Sequence, residues 1–317
     1  MKKLAALPLL CLLSSVAFSA PPLEKKELYK VGFAQSENNN PWRIAETNSF
    51  KDVAKECGWQ LIVSDAASSA SKQVSDVDSM IAQGVDVIFL PPREEKPLVP
   101  AVKKAKMRGI PVFLVDRKVD ERIVKPGVDY VTFLGSDFVK QGERAAEQLA
   151  KLSGGKGKVI QLEGTTGATS SRDHIIGFNR VIDTYPEMTI VASQSGDYAR
   201  DRGRKVMETL LQAHPDVSLV WAHNDEMALG AIRAIEAAGL VPGKDIIIGG
   251  KDGTRDGLQA ILDGKLAFIV ESTPKFGPLA CKTMQRYANG EKIPTWIKTE
   301  DRLFDASNAA EHIADAF

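Results

Sequence analysis

From Tyr29 onward, short apolar runs alternate with longer amphipathic stretches. Tyr29 to Gln35 reads as a strand. Trp42 to Cys57 carries Ile44, Phe50, Val53 and Ala54 at mixed spacings of three and four, the periodicity of a helix, and Gly58 closes it. The alternation continues with a strand over Gln60 to Ser64, a helix over Ser71 to Gln83 ended by Gly84, and a strand over Val85 to Leu90 stopped by Pro91-Pro92. Leu98 to Met107 reads as a helix with Pro100 in its first turn, where the missing N–H costs nothing, and Ile110 to Val115 as a fourth strand. Strands spaced by helices of this length predict parallel pairing through right-handed crossovers.

After Gly135 the pattern starts again. Helices are predicted over Phe138 to Leu152, Ser171 to Thr184, Arg200 to His214 and Asn224 to Ala238. Strands are predicted over Lys158 to Leu162, Thr189 to Ser195, Leu219 to His223, Ile246 to Gly249 and Leu266 to Glu271. The expectation is an α/β protein with two similar doubly wound parallel-sheet lobes and a ligand cleft between them. No low-complexity stretch separates the halves, so a few short crossings of ordinary chain must form the hinge.

Composition agrees with a two-lobed globular chain: 317 residues, 44% hydrophobic and 26% charged. Lys2 and Lys3, the apolar run Leu4 to Leu13 and the small residues around Ala17 to Ser19 read as a secretory signal over 1–19, cleaved after Ser19. The run is too short to span a bilayer of roughly 30 Å, and bulky Leu10 before Cys11 argues against a lipid anchor. Without the two leader lysines, 39 basic residues face 41 acidic ones, a net charge of −2. Nothing here calls for nucleic acid or an acidic membrane. Cys57 and Cys281 survive processing; their spacing leaves a disulfide and two buried thiols equally open.

Enzyme signatures are missing: no phosphate loop, no H-E-x-x-H, no G-x-S-x-G elbow and no C-x-x-C. Gly154-Gly155-Lys156-Gly157 precedes a strand, the wrong order for a dinucleotide site, and reads as a turn. The four histidines are scattered. Only His223 lies beside a predicted site, where strand-end placement or orientation of a neighbour explains it better than catalysis. Neither a cofactor nor a metal is expected.

What remains is polar chemistry at strand ends. In an open α/β sheet the carboxyl ends of the strands frame the ligand crevice. Asp116-Arg117, Asn224-Asp225 and Asp252 all follow apolar runs. Carboxylates accept from hydroxyls, guanidinium and amide groups donate to them, and a sugar presents many hydroxyls beside a flatter C–H face. Trp42, at the turn before its helix, suits stacking on that face; Arg43 and Glu46 share a helical face; Arg172 offers a donor from the second lobe. Each has a plainer reading: an ion pair in a turn for Asp116-Arg117, a core aromatic for Trp42, a turn carboxylate for Asp252, a solvated charge for Glu46 and a packing residue for Tyr198.

With these residues in view, the chain from about Lys30 to its end resembles the periplasmic sugar-binding proteins of ATP-driven (ABC) importers, of the ribose-binding type. The runs Asn39-Asn40-Pro41, Val115-Asp116-Arg117, Asn224 to Gly230 and Asp252-Gly253-Thr254 carry the resemblance. Trp42 to Asn48 and Gln194 to Asp197 look most like the galactofuranose-binding members. Ribose binders have two aromatics after Asn-Pro; the second is Arg43 here, which argues against ribose.

The resemblance implies a type I periplasmic binding fold and no enzymatic activity. It implies a ligand set of Asn40, Trp42, Arg43, Asp116, Arg117, Arg172, Asn224 and Asp252, with Asn39, Glu46 and Tyr198 in a second tier. It further implies crossings near Ser136, Thr273 and Glu300, giving an N-terminal lobe of 24–136 plus 273–299 and a C-terminal lobe of 137–272 plus 300–317. That returns the helix containing Cys281 to the first lobe, within reach of Cys57. The expected protein is a periplasmic monomer without a membrane anchor, delivering a monosaccharide such as galactofuranose to an ABC transporter permease. The alternative is a sugar-sensing module for a chemoreceptor or signalling partner. A related repressor would carry a helix-turn-helix where this chain has an export signal.

Overall fold

The computed structural model describes residues 19–317, so the predicted leader, apart from Ser19, lies outside the described residues. The first half builds β1 (Tyr29–Gln35), α1 (Pro41–Ala54), β2 (Trp59–Asp65), α2 (Ala70–Ala82), β3 (Val87–Leu90), α3 (Val99–Met107), β4 (Val112–Val115) and β5 (Thr132–Gly135). The second repeats the scheme: α4 (Phe138–Ser153), β6 (Lys156–Glu163), α5 (Thr169–Ile182), β7 (Glu187–Ser195), α6 (Arg200–Ala213), β8 (Leu219–Ala222), α7 (Asp225–Ala237), β9 (Ile247–Asp252), α8 (Arg255–Leu262) and β10 (Phe268–Glu271). α9 (Gly277–Ala288), β11 (Trp296–Lys298), β12 (Leu303–Asp305) and α10 (Ala309–His312) close the chain.

The strands form two six-stranded sheets, ordered β2-β1-β3-β4-β5-β11 and β7-β6-β8-β9-β10-β12. Apart from the antiparallel β10–β12 edge pair, every pairing is parallel. Both sheets change winding direction at the same place, β1/β3 and β6/β8, the switch point where doubly wound folds bind ligands. The chain passes between sheets after β5, returns after β10 and crosses again between β11 and β12. Side chains stitch these crossings: Ser136 Oγ lies 2.9 Å from Thr299 Oγ1 and donates to Asp301 Oδ1 at 2.8 Å, while Gln141 Nε2 donates to Asp301 Oδ2 at 2.9 Å.

Strand alternation assigns the cores. In the first lobe Phe33, Phe89 and Phe113 pack with Phe50 of α1 and Met284 of α9 on one face. Ile88, Val112 and Leu114 pack with α2 and α3 on the other. β3, β4 and β8 are buried throughout, as strands covered on both faces must be. Cys57 and Cys281 form a disulfide with their Cα atoms 5.9 Å apart, tying the end of α1 to α9. In the second lobe Gly177, inside α5, lets α4 approach: a Cβ there would sit 1.9 Å from Val139 O.

Five elements escape sequence reading. β5, β11, β12 and α10 are only three or four residues long, too short for a period to show. α8 is eight residues and starts after the Asp252-Gly253 turn.

Candidate sugar-binding cleft

The carboxyl ends of the two sheets face each other across a small, tight cavity. Asn40, Trp42, Arg43, Asp116 and Arg117 line it from the first lobe, and Ser170, Tyr198, Asn224, Lys251 and Asp252 from the second.

In the first lobe Asn40 caps α1, its Oδ1 accepting from Arg43 N at 2.9 Å, and Pro41 begins the helix where proline is tolerated. This start throws Trp42 and Arg43 into the cleft. Arg43 donates to Glu46 Oε2 at 2.7 Å and to Asp116 Oδ2 at 2.6 Å, with Nε 3.5 Å from Glu37 Oε1. Burial disfavours its charge, but Asp116, Glu46 and Glu37 outweigh that and raise its pKa. Arg117 lies 3.4 Å from Glu37 Oε1 and 3.4 Å from Asp116 Oδ2, yet its buried Nε makes no hydrogen bond. Glu37 is pushed up by burial and pulled further down by Arg117, Arg43 and Arg93, so it stays ionised. Burial raises Glu46 to about 7, with the Asp116 charge adding to the effect.

In the second lobe Tyr198 lies over Gly164, where a Cβ would fall 2.0 Å from the ring. Its hydroxyl is 3.0 Å from Ser170 Oγ, and Arg117 stacks on its ring at 5.2 Å. Asn224 is the N-cap of α7: Oδ1 accepts from Met227 N at 2.9 Å and Nδ2 donates to Tyr198 O at 3.1 Å. Beneath Asp252, the buried Asp225 carboxylate accepts from Gly253 N at 2.9 Å and from Thr254 N at 2.8 Å, fixing the turn that aims Asp252. Burial raises Asp252 to about 6; Lys251 opposes this and Asp116 reinforces it. His223 sits behind the wall, its Nδ1 accepting from Gly164 N at 3.3 Å. Burial, helped by the Lys251 charge, lowers it to about 3, so it is neutral.

The strand ends that aim these groups are strained. Asp116 (φ 58°), Asp197 (φ 54°), Tyr198 (φ 58°) and Asp252 (φ 133°) all have positive φ, which costs of order 1–3 kcal/mol each in a non-glycine residue and clusters at ligand clamps.

The lobes are closed on one another. Trp42 Nε1 donates to Ser272 O at 2.7 Å, Arg93 Nη2 to Asp197 Oδ1 at 3.0 Å, Glu95 N to Gly167 O at 2.9 Å and Lys118 N to Thr169 Oγ1 at 2.9 Å.

Three residues named from the sequence lie elsewhere. Arg172 does not line the cavity: its side chain is 47% exposed at the rim, ion-paired with Glu95 and, at 2.9 Å, with Asp173. One turn into α5, it is directed along the lobe boundary. Glu46 is buried behind Arg43, which it orients. Asn39 is exposed and donates to Ser68 Oγ at 3.3 Å. Conversely, Lys251, Ser170, Glu37 and Arg93 escape sequence reading. Lys251 and Asp252 are neighbours that alternation would send to opposite faces; the φ of 133° at Asp252 lets both reach the cavity.

A periplasmic binding protein domain matches residues 31–292. The chain belongs to the periplasmic binding protein family. The galactofuranose-binding protein of Escherichia coli is 37% identical over 306 residues, covering 95% of this chain and 93% of its own. A Mycobacterium smegmatis protein solved with β-D-fucofuranose is 41% identical with a TM-score of 0.86, covering 90% of this chain and 94% of its own. The arabinose-transporter component of Shewanella sp. ANA-3, solved with α- and β-L-arabinofuranose, is 38% identical with a TM-score of 0.86, covering 90% and 95%. This periplasmic binding protein therefore has the type I fold of that family, and the proteins it resembles are sugar-binding proteins, among them a component of an arabinose ABC transporter and a fructose-binding domain of a hybrid two component system. Among the described residues no helix is long and apolar enough to cross a membrane, and no cluster of three His, Cys, Asp or Glu side chains is arranged to hold a metal.

Proposed function

We propose that this protein captures a monosaccharide in its furanose form, galactofuranose or a sugar of similar shape, and presents it in the periplasm to the permease of an ABC importer. The observation that carries this reading is the cavity itself. It is closed by both lobes and lined by guanidinium, carboxylate and amide groups around Trp42 and Tyr198. Hydroxyls both donate and accept, so a ring of them satisfies such a wall, while the aromatic faces take the C–H surface. The named ligands of three relatives, galactofuranose, fucofuranose and arabinofuranose, point the same way.

Binding works by clamping. A sugar bonded to both lobes at once favours the closed form by its differential affinity for it, and the closed form is the shape that a permease recognises. Micromolar affinity needs about 8 kcal/mol; several charge-assisted bonds of roughly 1.5–3 kcal/mol each, with aromatic stacking, supply that after ordering costs.

Calorimetric titration with galactose, fucose, arabinose and ribose tests the reading. Heat and a raised melting point with one of the first three, and a weaker response to ribose, are expected. No response to any aldose would refute it. Co-purification with a permease rather than a chemoreceptor or sensor kinase would separate transport from signalling.

A further inference from the structure

We infer that Lys251 is a specificity-determining residue of this cleft: its ammonium and the Asp252 carboxylate together grip one hydroxyl of an uncharged sugar. The inference rests on the sugar-binding reading above and assigns a donor that the sequence did not reveal.

Spare hydrogen-bonding capacity in the cleft is concentrated at Lys251. Arg43 is spent on Glu46 and Asp116, and Asn224 on capping α7 and on the Tyr198 carbonyl. Lys251 has three N–H donors and one polar contact, Asp252 Oδ1 at 2.7 Å. Three rings stand near it: its Nζ lies 5.7 Å from the Tyr198 ring centre and 6.0 Å from those of Trp42 and Phe138. The side chain is 7% exposed, so these faces hold the ammonium away from bulk water while it lines the cavity. Donors in such a place are worth most when an acceptor enters and are costly when left unmet.

The charges around the cleft favour an uncharged acceptor. Three buried guanidiniums of the first lobe, Arg43, Arg93 and Arg117, face three buried carboxylates, Glu37, Glu46 and Asp116. In the second lobe Lys251 faces Asp252. Asp197 adds a further carboxylate on Arg93, so with all of these ionised the carboxylates at least match the cations, and an anionic ligand would add an uncompensated charge to a water-poor site. A hydroxyl fits instead: its oxygen accepts from Lys251 and its hydrogen goes to Asp252. A site built this way rejects analogues that lack the hydroxyl, because the pair is left unmet.

The test uses D-galactose, D-fucose, L-arabinose and D-galacturonate at pH 8, titrated calorimetrically into wild type, Lys251→Met and Lys251→Gln. The three neutral sugars carry the same substituents on the furanose ring and differ only in the exocyclic tail, and galacturonate adds a charge. For whichever neutral sugar binds wild type, Lys251→Met should weaken binding by about 10- to 100-fold, the range of a charge-assisted hydrogen bond. Lys251→Gln, which keeps a donor, should fall between. Galacturonate should bind wild type more weakly than galactose. Should Lys251→Met fail to fold, the intermediate loss in Lys251→Gln and the order of galactose over galacturonate still decide. Affinities of either folded variant within threefold of wild type would overturn the proposal, as would galacturonate binding tighter than every neutral sugar. Failure of wild type to bind any of the four would instead overturn the sugar-binding reading and this one with it.

Discussion

The indole nitrogen of Trp42, on the first helix of one lobe, donates to the backbone carbonyl of Ser272 at the end of β10 in the other, at 2.7 Å. One side chain therefore both lines the cavity and fastens the lobes together. Replacing it by phenylalanine keeps an aromatic face and removes only the bond. A net value of about 0.5–1.5 kcal/mol for such a bond predicts a two- to tenfold loss of sugar affinity in Trp42→Phe. Trp42→Ala, which also loses the stacking face, should lose far more. Calorimetric titration checks both, with circular dichroism to establish that each variant is folded.

At the cleft mouth Arg93 reaches Asp197 of the opposite lobe at 3.0 and 3.1 Å, while Thr165 Oγ1 donates to the same carboxylate at 2.7 Å. This bridge forms only when the lobes meet. Asp197→Asn should speed sugar release several-fold and leave capture nearly unchanged, because losing a contact of the closed form acts mainly on dissociation. Stopped-flow tryptophan fluorescence reads the two rates separately; a slower capture with unaltered release would count against the latch.

The Cys57–Cys281 bridge closes a loop across 224 positions of sequence. Removing a native disulfide costs typically about 2–5 kcal/mol. The double variant Cys57→Ala/Cys281→Ala should lose stability of that order in guanidinium unfolding. Its sugar affinity should hold, since neither cysteine lines the cavity.

Asp301 lies at the crossings, and burial raises its carboxyl to about 6, against the bonds it accepts from Ser136 and Gln141. An unfolded aspartate titrates near 3.9, so the folded state holds this proton more tightly. The resulting stabilisation is complete below about pH 4 and disappears as pH rises through 6. Asp301→Asn removes this dependence. The stability of the variant relative to wild type should therefore increase between pH 4 and pH 7, on the order of 2–3 kcal/mol. Denaturant melts of both proteins across that range measure it, and a constant difference would refute the assignment.

Much of this architecture was legible in the chain, for a local reason. Apolar periodicity and the glycines after helices depend only on neighbouring residues, so the βα units, the repeat after Gly135 and the strand ends bearing Asp116, Arg117, Asn224 and Asp252 could be read directly. Trp42 and Arg43 could be placed because Asn40 and Pro41 fix the helix start.

Convergence, by contrast, is a property of tertiary structure. That Arg172 turns to the rim, that Glu46 backs Arg43 instead of facing the cavity, and that Arg93 spans the lobes all depend on where partners distant in sequence sit. Lys251 is the sharpest case. Period-two alternation places it opposite Asp252, and only the folded backbone at that strand end, braced by Asp225 through the next turn, brings both into the cleft. The sequence by itself determined the longer strands and helices, because their signals are short-range, but not the short β5, β11 and β12 or α8 and α10. Which charged groups meet, and which donors remain free for a ligand, was decided by the packing of two lobes whose contacting residues lie up to 230 positions apart.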